Sequence, residues 1–164
     1  MKMERPAPDA GSDDVALLIR LLKLASFINS PMKDGVCDPA GVSQLETKVM
    51  MALAGEGPLA GHDLVEITGM PAMNISRAIA ALRERGWVED TVDPDNRRRK
   101  PVRLTAAGEA EYASLAPALR DVARALLGNL GARQKRELAA ISDRVIASMA
   151  DWITSHHADV KLGG

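Results

Sequence analysis

Asn74, Ser76 and Arg77 open a segment whose apolar members, Ile75, Ile79 and Leu82, recur at i, i+4 and i+7. Asn pairs bidentately with adenine, Arg with guanine, and a Ser hydroxyl bonds either base or phosphate. On a helix that begins at Pro71, these three and Met73 fall on the exposed leading turns, and the apolar positions hold the opposite face against a domain. Further along, the turn signal Asp93-Pro94-Asp95-Asn96 leads into a basic run, Arg97-Arg98-Arg99-Lys100. Taken alone, such a run is as readily a solvated loop. Placed on a hairpin tip after two short helices, it is suited to a minor groove, where narrow sequences concentrate negative potential. The candidate contacts are therefore Met73, Asn74, Ser76, Arg77, Asn96, Arg97, Arg98, Arg99 and Lys100. Arg83 and Arg85 read as general surface or phosphate charges rather than sequence readers.

The remaining reactive side chains form no second constellation. Cys37 is the single cysteine, so no internal disulfide exists, and Asp34 and Asp38 beside it work against thiol reactivity. His62 reads as a solvated residue at a helix start, and the pair His156-His157 lacks a third metal ligand. A phosphate-binding glycine loop, a nucleophile elbow and a zinc H-E-x-x-H pattern are all missing. The expectation is a protein that is not an enzyme and takes no cofactor and no metal.

The elements around the two clusters are mostly helical. Residues 1–11 are polar and read as a tail. Ser12, Asp13 and Asp14 supply N-terminal chemistry for a helix over 13–28, apolar on nearly every side except the stripe Arg20, Lys23 and Ser26. Such a helix must be covered nearly all round, and in a short chain a second subunit is the expected cover. Pro31, Gly35, Pro39 and Gly41 predict a loop over 29–42. Ser43-Gln44-Leu45-Glu46 is a capping box that opens the next helix. A helix from about Ala60 should bury Leu64, Val65 and Ile67 and close at Gly69. Residues 87–92 and 102–105 read as strands of a hairpin. Two seams follow, Leu115, Leu119, Val122, Leu126 and Leu130, then Leu138, Ile141, Val145, Met149 and Trp152. Pro117 predicts a bend within the first of these helices.

Composition bounds the alternatives. A formal charge of −1 excludes a general polyanion binder, so any positive charge that meets nucleic acid must be local. With 46% hydrophobic and only 2% aromatic residues, the chain favours helices over β-sandwiches. Uninterrupted apolar stretches are short and no signal peptide is recognisable, so no membrane span and a cytoplasmic location are expected.

Residues 42–108 resemble the MarR family of bacterial transcription regulators. The resemblance rests on Asn74-Ile75-Ser76-Arg77 with Leu82, then Gly86-Trp87-Val88, the basic tip, and the close Leu104-Thr105-Ala106-Ala107-Gly108. It extends more loosely over 15–153. It implies a mostly α winged helix-turn-helix with a small β-hairpin wing, flanked by N- and C-terminal dimerisation helices. The implied divisions are a tail over 1–11, a dimerisation helix and loop over 12–41, the winged domain over 42–105, dimerisation helices over 106–157 and a tail over 158–164. The resemblance also implies a homodimer on double-stranded DNA with a pseudo-palindromic operator, acting as a repressor, with Ser76 and Arg77 on the recognition helix and Arg98 entering the minor groove. Many members release DNA when a small, often aromatic, molecule binds. Two positions depart from the family pattern: Asp90 stands where a basic residue is usual, and Asn96 where the wing tip usually carries an aspartate that orients an arginine. Asp90 or Asp95 is expected to take over that job for Arg97 or Arg98. These departures favour the alternative reading, a winged-helix protein-interaction module without DNA binding.

Overall fold

A computed structural model describes residues 12–96 and 98–162. The expected tail over 1–11 and the expected contact residue Arg97 lie outside the described residues. The chain opens with α1, Ser12–Phe27, whose first turn carries Asp13 and Asp14, where the helix dipole favours negative charge. The segment expected as a loop is helical. It comprises α2 (Asn29–Met32), a π-helical turn (Lys33–Cys37) and α3 (Asp38–Ala40), closed by Gly41 at a left-handed φ of 65°. The prolines there start turns rather than break them: Pro31 lies within the first turn after Ile28, and Pro39 sits at the start of α3, where a missing N–H costs little. Burial of Val36 and Cys37 anchors the segment. Gly35 lets it approach α8 (Ala116–Leu127), because a β-carbon there would lie 2.7 Å from Val122 Cγ2.

One consequence corrects an expectation. With 29–40 helical, Asp13–Ala40 forms a run whose length and mean hydropathy of 1.4 suffice to cross a membrane. Counting only uninterrupted apolar residues concealed this, since Arg20 and Lys23 split the run. Its apolar face stays open in the single chain, with Leu18, Leu22 and Phe27 half exposed or more.

The central domain is built on α4, Gln44–Glu56. Its capping box forms as expected: the Ser43 hydroxyl accepts the Glu46 N–H at 3.1 Å, and the Glu46 carboxylate accepts the Ser43 N–H at 2.9 Å. α4 packs on α5 (Gly61–Thr68) and α6 (Ala72–Glu84). Two antiparallel strands follow, β1 (Val88–Asp90) and β2 (Val102–Leu104), in the register Val88↔Leu104, Glu89↔Arg103 and Asp90↔Val102. Val49, Met50, Leu64, Ile75, Leu82, Val88 and Val102 form one core. Ile67, expected inside, is 51% exposed at the end of α5, where the inner face is held by Leu64.

The flanking helices are α7 (Ala106–Ser114), α8 and α9 (Ala132–Leu162). Pro117 does more than bend a helix: α7 stops at Ser114, and Pro117 stands in the first turn of α8. α9 continues past the expected end at His157 to Leu162. Its seam residues Leu138, Ile141 and Met149 are over two-fifths exposed, so the face predicted to pack is left largely open by the described residues.

Candidate nucleic-acid interface

The two helices that present the first cluster are set by local chemistry. α5 begins where the Asp63 carboxylate accepts the Ala60 N–H at 2.7 Å, and it ends at Gly69, whose φ of 66° suits only glycine without strain. Pro71 then starts α6. Ile75, Ala78, Ile79 and Leu82 are buried along its inner face, so Met73, Asn74, Ser76 and Arg77 are all exposed on the outer one. Met73 is 64% exposed, so a long apolar side chain stands open on this face.

The hairpin tip is organised by its own side chains. Asp93 accepts the Asp95 N–H at 3.0 Å, an Asx-type turn, and Asn96 accepts the Arg98 N–H at 3.1 Å. The first bond, then the Arg99 guanidinium, hold the Asp93 carboxyl below its ordinary range. Arg99 folds back, bonding Asp93 at 3.1 Å and Asp63 of α5. Partial burial pushes the Asp63 carboxyl up, but the Ala60 N–H, Arg99 and His62 together outweigh it and hold the group low.

The described cations from α6 to β2 fall into two sets. Arg83 pairs with Asp90 at 2.6 Å, and Arg103 with Glu89 at 2.7 Å. Arg85 bonds the Gly41 carbonyl at 3.0 Å and lies 4.8 Å over the Trp87 ring. Arg99 is held by its two aspartates. By contrast, no hydrogen bond or ion pair among the described residues engages the side chains of Asn74, Ser76, Arg77, Arg98 or Lys100.

The unengaged groups share one side of the domain. A hollow between α5, α6 and the hairpin is lined by His62, Ser76, Arg83, Asp90 and Lys100. A smaller notch between the start of α5 and the hairpin tip is lined by His62, Asn96, Arg98, Arg99 and Lys100. Lys100 and His62 border both, so the hollow beside Ser76 adjoins the notch at the hairpin tip, and Met73, Asn74 and Arg77 lie on the exposed face of α6 outside both linings.

Neither Asp90 nor Asp95 takes the job foreseen for it at Arg98, and the part of that expectation that concerns Arg97 lies outside the described residues. Asp90 ties β1 to α6 through Arg83, and the aspartate that holds a tip arginine is Asp93, acting on Arg99. Asn96 works through its carbonyl on the backbone instead of through charge. The two departures from the family pattern thus have internal uses. Cys37 is buried, with its Sγ 3.4 Å from the Thr47 hydroxyl, not exposed in a loop. His62 is exposed and 3.1 Å from Asp63. The side chains of His156 and His157 lie outside the described residues, and no metal-ligating cluster occurs among those described. Sequence reasoning missed Asp63. Its signal was an acidic residue three places after Ala60, a capping pattern masked because Ala60 has no hydroxyl to complete the box.

A family model described as MarR family matches residues 40–99. The HTH-type transcriptional repressor NicR of Pseudomonas putida is 26% identical over 112 residues, covering 68% of this chain and 70% of NicR. A MarR family transcriptional regulator from Silicibacter pomeroyi superposes with a TM-score of 0.79 at 17% identity, over 91% of this chain and 99% of its own. A mutant MarR from E. coli, complexed with operator DNA, superposes at 0.65 and 19% identity, over 84% and 99%. The matched segment spans both helices of the pair and most of the hairpin, and the repressor relative extends beyond it: residues 40–99 match the MarR family, and the chain as a whole shares the fold of MarR family regulators of solved structure.

Proposed function

We propose that this chain is a homodimeric, sequence-specific DNA-binding repressor whose winged domain, residues 42–105, reads duplex DNA. The observation that carries the reading is the state of the cations from α6 to β2: Arg98 and Lys100 line adjoining hollows and Arg77 stands on the exposed face of α6, all three unengaged among the described residues, whereas Arg83, Arg85, Arg99 and Arg103 are engaged within the protein. α6 enters the major groove, where Asn74, Ser76 and Arg77 meet base edges, and Arg98 reaches the neighbouring minor groove. Backbone contacts supply most of the affinity, which falls steeply with salt. The segments 12–41 and 106–157 supply the dimer contact, and two-fold symmetry sets half-sites about 10 base pairs apart. That NicR is named a repressor, and that the E. coli structure holds operator DNA, supports the same reading. An effector releases such a dimer only by binding the DNA-incompatible spacing of the winged domains more tightly than the compatible one.

The test is fluorescence anisotropy at fixed salt on duplexes selected by the protein from its source genome. Arg98→Ala is expected to weaken binding about tenfold, the equivalent of one good groove contact. Lys33→Ala, in an ion pair with Asp38 away from the surface, leaves it unchanged. Equal losses would refute the assignment of the wing. Absence of salt-sensitive binding to any genomic fragment would favour the protein-interaction module instead.

A further inference from the structure

We infer that Asp63, on the first helix of the helix-turn-helix, is a positioning residue for the wing: through Arg99 it latches the hairpin tip to α5 and so sets where Arg98 stands relative to α6. The inference rests on the DNA-binding reading above and adds to it a residue with no predicted role. Three observations carry it. First, Arg99 Nη2 reaches Asp63 across 36 positions of sequence, while Nη1 of the same guanidinium holds Asp93 at 3.1 Å, so one planar group spans helix and hairpin. A guanidinium with two separate carboxylates is fixed in direction as well as position, which a lysine would not be. Second, the two strands are only three residues each, and between Asp90 and Val102 the main-chain bonds that brace the tip are Thr91 N–H to Pro101 O, Asn96 N–H to Asp93 O and Arg99 N–H to Asn96 O. None of these ties the tip to a helix. Third, Arg98 and Lys100 flank Arg99 directly, so the direction of the latch sets the direction of both unengaged cations.

The groups facing the latch limit it to these partners. Asp63 meets Arg99, the Ala60 N–H and His62, and Asp93 meets Arg99 and the tip backbone. Arg83–Asp90 makes a second, separate tie near the hairpin root. Without Asp63 the root therefore stays in register and only the tip swings.

Asp63→Asn separates the capping role from the latch, because an amide oxygen still accepts the Ala60 N–H but carries no charge for Arg99. Two measurements follow on the full chain. Hydrogen exchange without DNA is expected to speed up about tenfold at the Asn96 and Arg99 amides, with the α4 amides unchanged. Unaltered tip exchange would overturn the latch whatever the protein binds. Anisotropy on genome-selected duplexes then forms a cycle with Arg98→Ala. Asp63→Asn is expected to cost about tenfold alone and less than about twofold when Arg98 is already alanine, which is the signature of two coupled residues. Equal losses in both backgrounds, or none, would overturn the positioning role. The charge swap Asp63→Arg with Arg99→Asp should recover part of the affinity, which a purely structural defect would not. If the wild-type chain binds no duplex while tip exchange still responds to Asp63→Asn, the DNA-binding reading fails and the latch survives as a brace of the hairpin alone.

Discussion

At the scale of single residues, the ion pairs around the hairpin make acid the natural probe. Asp63 and Asp93 both titrate below the ordinary carboxylate value of 3.8 in the folded chain. Near that value the unfolded chain therefore binds more protons than the folded one, so stability rises with pH there. The contribution is complete above the ordinary value and is lost as pH falls through the depressed one. Urea melts at pH 5 and pH 3 should show the wild-type chain losing stability between them, and Asp63→Asn losing less. A variant that loses as much as the wild type would mean that the Asp63 carboxylate adds nothing. Residue types were readable from sequence at this scale, but partnerships across distance were not. Arg97 to Lys100 look equivalent in the string of letters. Only the fold reveals that Arg99 turns back on Asp63 and that Arg98 does not, because a separation of 36 positions in sequence carries no trace of proximity.

Single elements were legible wherever a local rule fixes an end. The Ser43 capping box, the left-handed Gly69 and the buried spacing of Ile75, Ile79 and Leu82 all formed as their sequence dictates. The segment 29–40 was misread because prolines and glycines were counted as breakers without regard to position: Pro39 stands where a helix starts, and Gly35 gives close packing against Val122 in place of a turn. The Leu104-Thr105-Ala106-Ala107-Gly108 close has a full physical account. The Thr105 hydroxyl donates to the Gly86 carbonyl at 2.6 Å and accepts the Gly108 N–H at 3.1 Å, starting α7 directly off the hairpin. Gly108 is required because a β-carbon there would stand 2.0 Å from the Trp87 carbonyl oxygen, a backbone atom with no freedom to retreat. Gly108→Ala must separate α7 from the hairpin and is expected to cost about 3 kcal/mol, as overpacking of a tight contact does. Chemical denaturation would measure it, and a loss under about 0.5 kcal/mol would mean that α7 and the hairpin separate at little cost.

For the whole molecule, the decisive feature is how much apolar surface one chain leaves open. Leu22 is 60% exposed, Leu24 64% and Phe27 66% on α1, and Ile141 and Ile146 on α9 are 49% and 62%. Exposed patches of this extent mark an interface or a membrane contact rather than a bare monomer surface. The length of Asp13–Ala40 admits the membrane, but Val36 and Cys37 near its far end are buried with the protein core, which ties that end to the winged domain. On the proposed reading a second copy would cover α1 and α9 together, because both helices carry exposed apolar residues, whereas a bilayer would leave those of α9 unexplained. Sedimentation in buffer without detergent should therefore give a dimer at low micromolar concentration, and flotation with lipid vesicles should leave the chain in the aqueous fraction. Leu22→Glu places a charge in the shared seam, so it should shift the dimer toward monomer and weaken binding to a two-half-site duplex far more than to a single half-site. A well-folded wild-type monomer, or a chain that floats with the vesicles, would break the link between these helices and a symmetric reader of DNA.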